Sequence, residues 1–182
     1  VGDVSIDYAK MAARKDKVVK ILRDGTANLL TKRGVEIIHG FGRLAGAGRV
    51  EVALQDGGSR TIEAENVILA TGSAPLRPKI FNVDGERIMT SQDAVAKTSV
   101  GDSVIVIGGG YIGCEYAALY ANLGLDVTIL ELLDSILAGQ DGDVIKHVGR
   151  GLKRRKVKIR TGVKVETLEN TGECVKAALE GG

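Results

Sequence analysis

Residues 103–131 read SVIVIGGGYIGCEYAALYANLGLDVTILE, an apolar β-branched run that meets three glycines, resumes as alanine-rich sequence and ends on one acid. No other stretch restricts the fold as strongly. Valine and isoleucine at positions 104–107 favour a strand, and the alanine-rich run after Gly110 favours a helix. Passing from one to the other within three residues calls for backbone conformations that glycine adopts at least cost. Gly108, Gly110 and Gly113 have the G-x-G-x-x-G spacing, with Gly109 between the first two. In a strand–turn–helix, the first glycine permits the tight turn. The second removes the Cβ that would keep a pyrophosphate from the backbone, and the third lets helix and strand approach closely. The helix start, with Tyr111 and Ile112, then offers free amides and a positive dipole end to phosphates.

Glu131 closes the second strand 18 residues after Gly113. A carboxylate there accepts the two ribose hydroxyls of an adenosine and repels a 2′-phosphate. Leu132 and Leu133 follow, with no arginine to hold such a phosphate. The pattern therefore selects NAD(H) over NADP(H). The alternative is an α/β domain whose glycine turn binds nothing.

The flanks define the setting. Apolar residues Met11, Val18, Ile21, Leu22, Leu29 and Leu30, with basic residues between them, predict a helix over 5–33. VEIIHGF, RVEVAL and RTIEAENVILA, separated by GAG and DGG, predict an antiparallel meander of three strands. TGSAPLRPKIFNVDGER holds both prolines of the chain and reads as a connector, with a domain boundary near Thr90. Beyond it the expected order is a short helix from Ser91, strand 103–107, helix 110–122, strand 126–131, helix 142–155 and strand 157–160. That alternation implies a parallel sheet covered by helices. VKVETLE and CVKAALE then predict a further antiparallel hairpin. The fold class is α/β: residues 90–182 form a Rossmann-like NAD-binding domain with a parallel sheet and helices, placed after residues 1–89.

Composition narrows the partners. Twenty-five lysines and arginines against 23 acids leave a net charge of +2, and the one dense basic run, KRRK at 153–156, fits the C-terminal turn of a helix. Aromatic residues are 3% and tryptophan is absent, so neither a basic surface nor stacking platforms point to nucleic acid. No stretch has the pattern of a membrane span or leader, and a cytoplasmic location is the expectation. Cys114 and Cys174 are 60 residues apart, which suits neither a disulfide framework nor a metal site, and both read as packed thiols. His39 and His147 stand beside no nucleophile or ligand partner, so no metal is expected.

VIVIGGGYIGCE followed by VTILELLDSILAGQD, with VILATGSAP about 35 residues upstream, resembles the class I pyridine nucleotide-disulfide oxidoreductases, flavoproteins that use FAD and NAD. The resemblance covers nearly the whole chain. Within the family it is strongest to members that oxidise a dihydrolipoyl dithiol; Ala138 stands where their proline would be. The resemblance implies that residues 1–89 are part of an FAD-binding domain, with Thr71, Gly72 and Ser73 against FAD and Gly42 near the flavin nucleotide's adenosine. It implies that Gly108, Gly109, Gly110, Tyr111, Ile112, Gly113 and Glu131 hold NAD, with Val165 at its adenine. It also gives Glu115 a catalytic place near flavin and nicotinamide, although a glutamate early in a helix can equally be a dipole partner.

The family's second glycine motif, its redox cysteine pair and its histidine–glutamate pair have no match in these residues. The expectation is thus an internal fragment that binds NAD(H) and is inactive alone. The implied parent is a homodimer that passes electrons from the dithiol through FAD to NAD⁺ and serves the lipoyl domain of a 2-oxo acid dehydrogenase complex. Other disulfide oxidoreductases of the family, such as a transhydrogenase or mercuric reductase, and a non-catalytic NAD(H)-binding module are the alternatives.

Overall fold

A computed structural model describes residues 5–181. The chain divides into two compact units, Ala13–Ala74 and the remainder. The helix α1 (Tyr8–Lys32) runs across that division.

In the smaller unit, β1 (Gly40–Leu44), β2 (Arg49–Leu54) and β3 (Ser59–Glu63) form an antiparallel sheet in the order β1-β2-β3. Cross-strand ion pairs, Arg43 with Glu51 and Arg49 with Glu63, lie on its exposed surface. Two expectations need correction. The strand expected over 35–41 is paired only from Gly40, and the one expected over 60–70 ends at Glu63. Residues 35–38 and 67–70 have β-forming sequence, yet they join no ladder among the described residues. Val35, Ile37, Ile68 and Leu69 are exposed, Ile68 at 89%. Sequence pattern states a preference for strand, but a ladder also needs a neighbour to supply its hydrogen bonds.

The larger unit follows the expected alternation closely. The helix α2 (Ser91–Ala96) is started by Thr90, whose hydroxyl accepts the Asp93 amide while the Asp93 carboxylate accepts the Thr90 amide. Such a reciprocal cap satisfies two otherwise free donors at a helix start. Then come β4 (Ser103–Ile107), α3 (Tyr111–Asn122), β5 (Asp126–Leu130), α4 (Gly142–Arg154) and β6 (Lys158–Arg160). The strands are parallel in the order β4-β5-β6. One face of the sheet, with Val127 and Ile129, packs with Cys114, Ala117 and Tyr120 of α3 and Leu152 of α4. Ile145 and Val148 complete the apolar stripe of α4, which leaves its basic residues outward; Lys153 and Arg154 fill the last turn.

The hairpin β7 (Val165–Asn170) and β8 (Val175–Leu179) is antiparallel, as expected. Val165 and Leu168 of β7 pack with Ile88 and Leu130. The connector is tied to it by polar bonds as well. Asn170 Nδ2 donates to Asp84 Oδ2 at 2.8 Å, and Arg87 donates to the carbonyl of Glu173 at 3.0 Å. Asp84 Oδ1 also accepts the amides of Glu86, Arg87 and Ile88. Burial alone would push this carboxyl up, but those donors outweigh it and hold it down at about 2.

Two outcomes follow from this packing. Ile129 is fully buried, so Ile129→Ala should cost about 2–5 kcal/mol through lost transfer energy and the cavity left behind, measured by urea unfolding. Because the Asp84 carboxyl lies below its ordinary 3.8 in the folded chain, its contribution is complete above that pH and is lost as pH falls towards 2. The melting midpoint should fall across that window, and Asp84→Asn should flatten the fall.

Candidate nucleotide site

The carboxyl ends of β4 and β5 and the start of α3 converge at the glycine turn. Gly108 donates its N–H to the Leu130 carbonyl at 2.8 Å, which fixes the turn to the end of β5. Its φ of +101° is a region that side chains disfavour. A Cβ on Gly113 would stand 2.0 Å from the Gly108 carbonyl oxygen and 3.3 Å from Val106 Cγ1, so α3 approaches β4 as closely as the third glycine was expected to allow. Gly110 differs. A Cβ there would meet nothing within 4 Å, and no side chain caps α3, of which Gly110 is the N-cap. The helix therefore presents its first amides and positive dipole end over open space, the arrangement that accepts a phosphate.

Glu131, immediately after β5, is buried to 9% exposure. Its Oε2 accepts the Gly109 amide and its Oε1 accepts the Leu133 amide at 2.8 Å. Cys114 is buried beside it, with its thiol 3.4 Å from the Gly109 carbonyl. Burial, and then the negative charge of Glu131, raise this thiol above its ordinary value. It is a packed thiol, as expected, whereas Cys174 is exposed in the β7–β8 turn, contrary to the packed reading. The turn between those strands leaves Cys174 no core to enter.

On α3, Tyr111 is 70% exposed and Ile112 is also exposed. Glu115 is exposed as the fifth helical residue, beyond the first turn, and makes no ion pair among the described residues. Val165 belongs to the apolar cluster with Ile88, Leu130 and Leu168, so its side chain serves packing. Gly42, Thr71, Gly72 and Ser73 lie in the smaller unit. Gly42 is on β1 opposite Val52, with room for a Cβ at ordinary contact distance, and Gly72 has a φ of +73°. Gly40, which no motif singled out, is the more confined of the β1 glycines: a Cβ there would lie 2.3 Å from the Ala53 carbonyl oxygen. Sequence reading also passed over Ile136 and Leu137, whose burial against the glycine turn has no signature beyond an apolar pair in a loop.

The family described as pyridine nucleotide-disulphide oxidoreductase matches residues 3–182. The chain belongs to this family. Among curated relatives, a mitochondrial dihydrolipoyl dehydrogenase of Dictyostelium discoideum is 38% identical over 165 residues, covering 91% of the chain and 34% of the relative. A dihydrolipoyl dehydrogenase of Bacillus subtilis is 31% identical, covering 94% and 37%. The crystal structure of LpdA from Mycobacterium tuberculosis superposes with a TM-score of 0.90 at 26% identity, over 100% of this chain and 41% of that one. RclA from Escherichia coli, an HOCl-induced flavoprotein disulfide reductase, superposes at 0.82 and 25% identity, over 97% and 40%. The chain thus spans about a third of the length of the curated relatives it matches.

The glycines make unequal demands. Gly113→Ala should cost about 1–3 kcal/mol in chemical unfolding, because the Cβ meets backbone that cannot yield. Gly110→Ala, facing open space, should unfold within about 1 kcal/mol of the parent chain.

Proposed function

We propose that this chain is the central part of an FAD-dependent, NAD-linked dihydrolipoamide dehydrogenase, and that residues 90–182 hold NAD(H). The observation that carries the reading is the uncapped start of α3 over open space at Gly110, next to Gly109, whose amide is held by the buried Glu131 carboxylate just after β5. Amide donors suited to a phosphate and a carboxylate acceptor suited to ribose hydroxyls would then lie at the carboxyl ends of parallel strands, where open α/β sheets bind ligands. The names and identities of the relatives support the same reading.

In this account the amides of the α3 start take the pyrophosphate, with Gly110 leaving room and Gly108, Gly109 and Gly113 setting the turn. Glu131 accepts the ribose hydroxyls, and Val165 backs the adenosine end from the core. Tyr111, exposed at the start of α3, borders the nicotinamide pocket, Ile112 is among the residues that hold NAD, and Glu115 is the catalytic carboxylate near flavin and nicotinamide. Residues 1–89 contribute part of an FAD site through Gly42, Thr71, Gly72 and Ser73. FAD, when bound in the longer protein, supplies the two-electron relay between a dihydrolipoyl dithiol and NAD⁺. Its partners would be a second subunit, in a homodimer, and the lipoyl domain of a 2-oxo acid dehydrogenase complex. Among the described residues no helix is long and apolar enough to cross a membrane; the location we propose is cytoplasmic.

Calorimetric titration of the chain with NADH and with NADPH tests the site directly. NADH should bind saturably and NADPH at least about tenfold more weakly, since a 2′-phosphate would meet the Glu131 charge. Glu131→Arg should lose NADH affinity. If neither nucleotide binds the parent chain, the assignment of residues 90–182 to NAD(H) fails.

A further inference from the structure

The Glu131 carboxylate is already engaged by the chain's own backbone. Gly109 donates its amide to Oε2 at 2.5 Å and Leu133 donates to Oε1 at 2.8 Å. Glu131 is also held through its main chain, its N–H donating to the Arg160 carbonyl and its carbonyl accepting from Val163, both at 2.9 Å. Gly109 is gripped on its other side, where its carbonyl accepts the Leu137 amide at 2.8 Å. A Cβ on Gly109 would lie 2.8 Å from Ile136 Cγ2 and 3.2 Å from Glu131 Oε2. The segment 132–137 is therefore folded back on the glycine turn, and the carboxylate joins the two.

We infer that Glu131 is the positioning residue of the glycine turn, holding Gly109 and the 132–137 segment in place before any nucleotide arrives. Gly109, the unspecified position of the motif, is closely confined: a Cβ there would force Ile136 and the Glu131 side chain to shift. An ionised carboxylate has about four lone-pair sites. Two serve these amides, and the rest remain for ribose hydroxyls, a clause that rests on the nucleotide reading above. A glutamine has one accepting oxygen and a donating NH₂. With it, one of the two amides loses its acceptor and meets a donor. Ribose recognition and turn geometry are then a single interaction, so a change at 131 meant to relax cofactor choice also loosens the phosphate turn.

Hydrogen exchange followed by NMR on the nucleotide-free chain tests this. The Gly109 and Leu133 amides should be protected to the extent of the Gly108 amide, which is bonded to Leu130. Glu131→Gln should lower protection at Gly109 or Leu133 by about tenfold or more and the melting midpoint by about 4 °C or more. Gly109→Ala should give the same signature and weaken NADH binding, although it leaves the carboxylate in place. A Gly109 amide that exchanges freely in the parent chain overturns the inference, and that measurement needs no variant to fold. So does a Glu131→Gln chain with unchanged exchange and midpoint and only weaker NADH binding, which makes Glu131 a ribose ligand alone. Protected amides in a chain that binds no NADH uphold the positioning role and sink the nucleotide reading instead.

Discussion

The approach of α3 to β4 at Gly113 and Gly108 is the constraint on which the larger unit depends. With no Cβ between them, the helix can begin at the very end of the strand, and its first amides lie where the parallel sheet presents its carboxyl ends. A bulkier residue at 113 would push α3 outward, and with it Cys114, Ala117 and Tyr120, which cover Val127 and Ile129. Core and candidate site thus share one contact. In a close-packed interior the turn cannot shift without disturbing the side chains packed behind it.

Polar bonds then extend this rigidity past the last strand residue. Glu131 and Asp84 use the same device, a carboxylate that collects backbone amides and so defines a segment with no regular secondary structure. Around Glu131 the result is a carboxylate that fixes the glycine turn to the segment after β5. Around Asp84 it is a connector bound to the β7–β8 hairpin. Loops built in this way have their backbone groups satisfied, which is what permits them to lie close to the core.

Much of this is legible in the amino-acid sequence. The β-branched run at 103–107, the glycine spacing and the alanine-rich helix produced β4, the turn and α3 at the expected residues, because strand and helix preferences there agree with the local turn chemistry. The strand-like pieces at 35–38 and 67–70 were misread as paired for the opposite reason: propensity is local, whereas a ladder depends on a second strand. The packing of Val165 with Ile88, Leu130 and Leu168 likewise depends on residues far away in the chain, which its own sequence neighbourhood does not specify.

By itself the sequence determined the alternation of strands and helices, the glycine turn, the single acid at 131 and the family, because each is carried by short-range pattern and residue type. Only the tertiary structure decided which atoms that acid serves. The Gly109 amide is 22 residues from Glu131, and Ile136 and Leu137 reach the turn only because the 132–137 segment folds back. Hydrogen bonds and excluded volume act on distances in space, and spacing along the chain does not encode those until parallel β4 and β5 bring the two ends together.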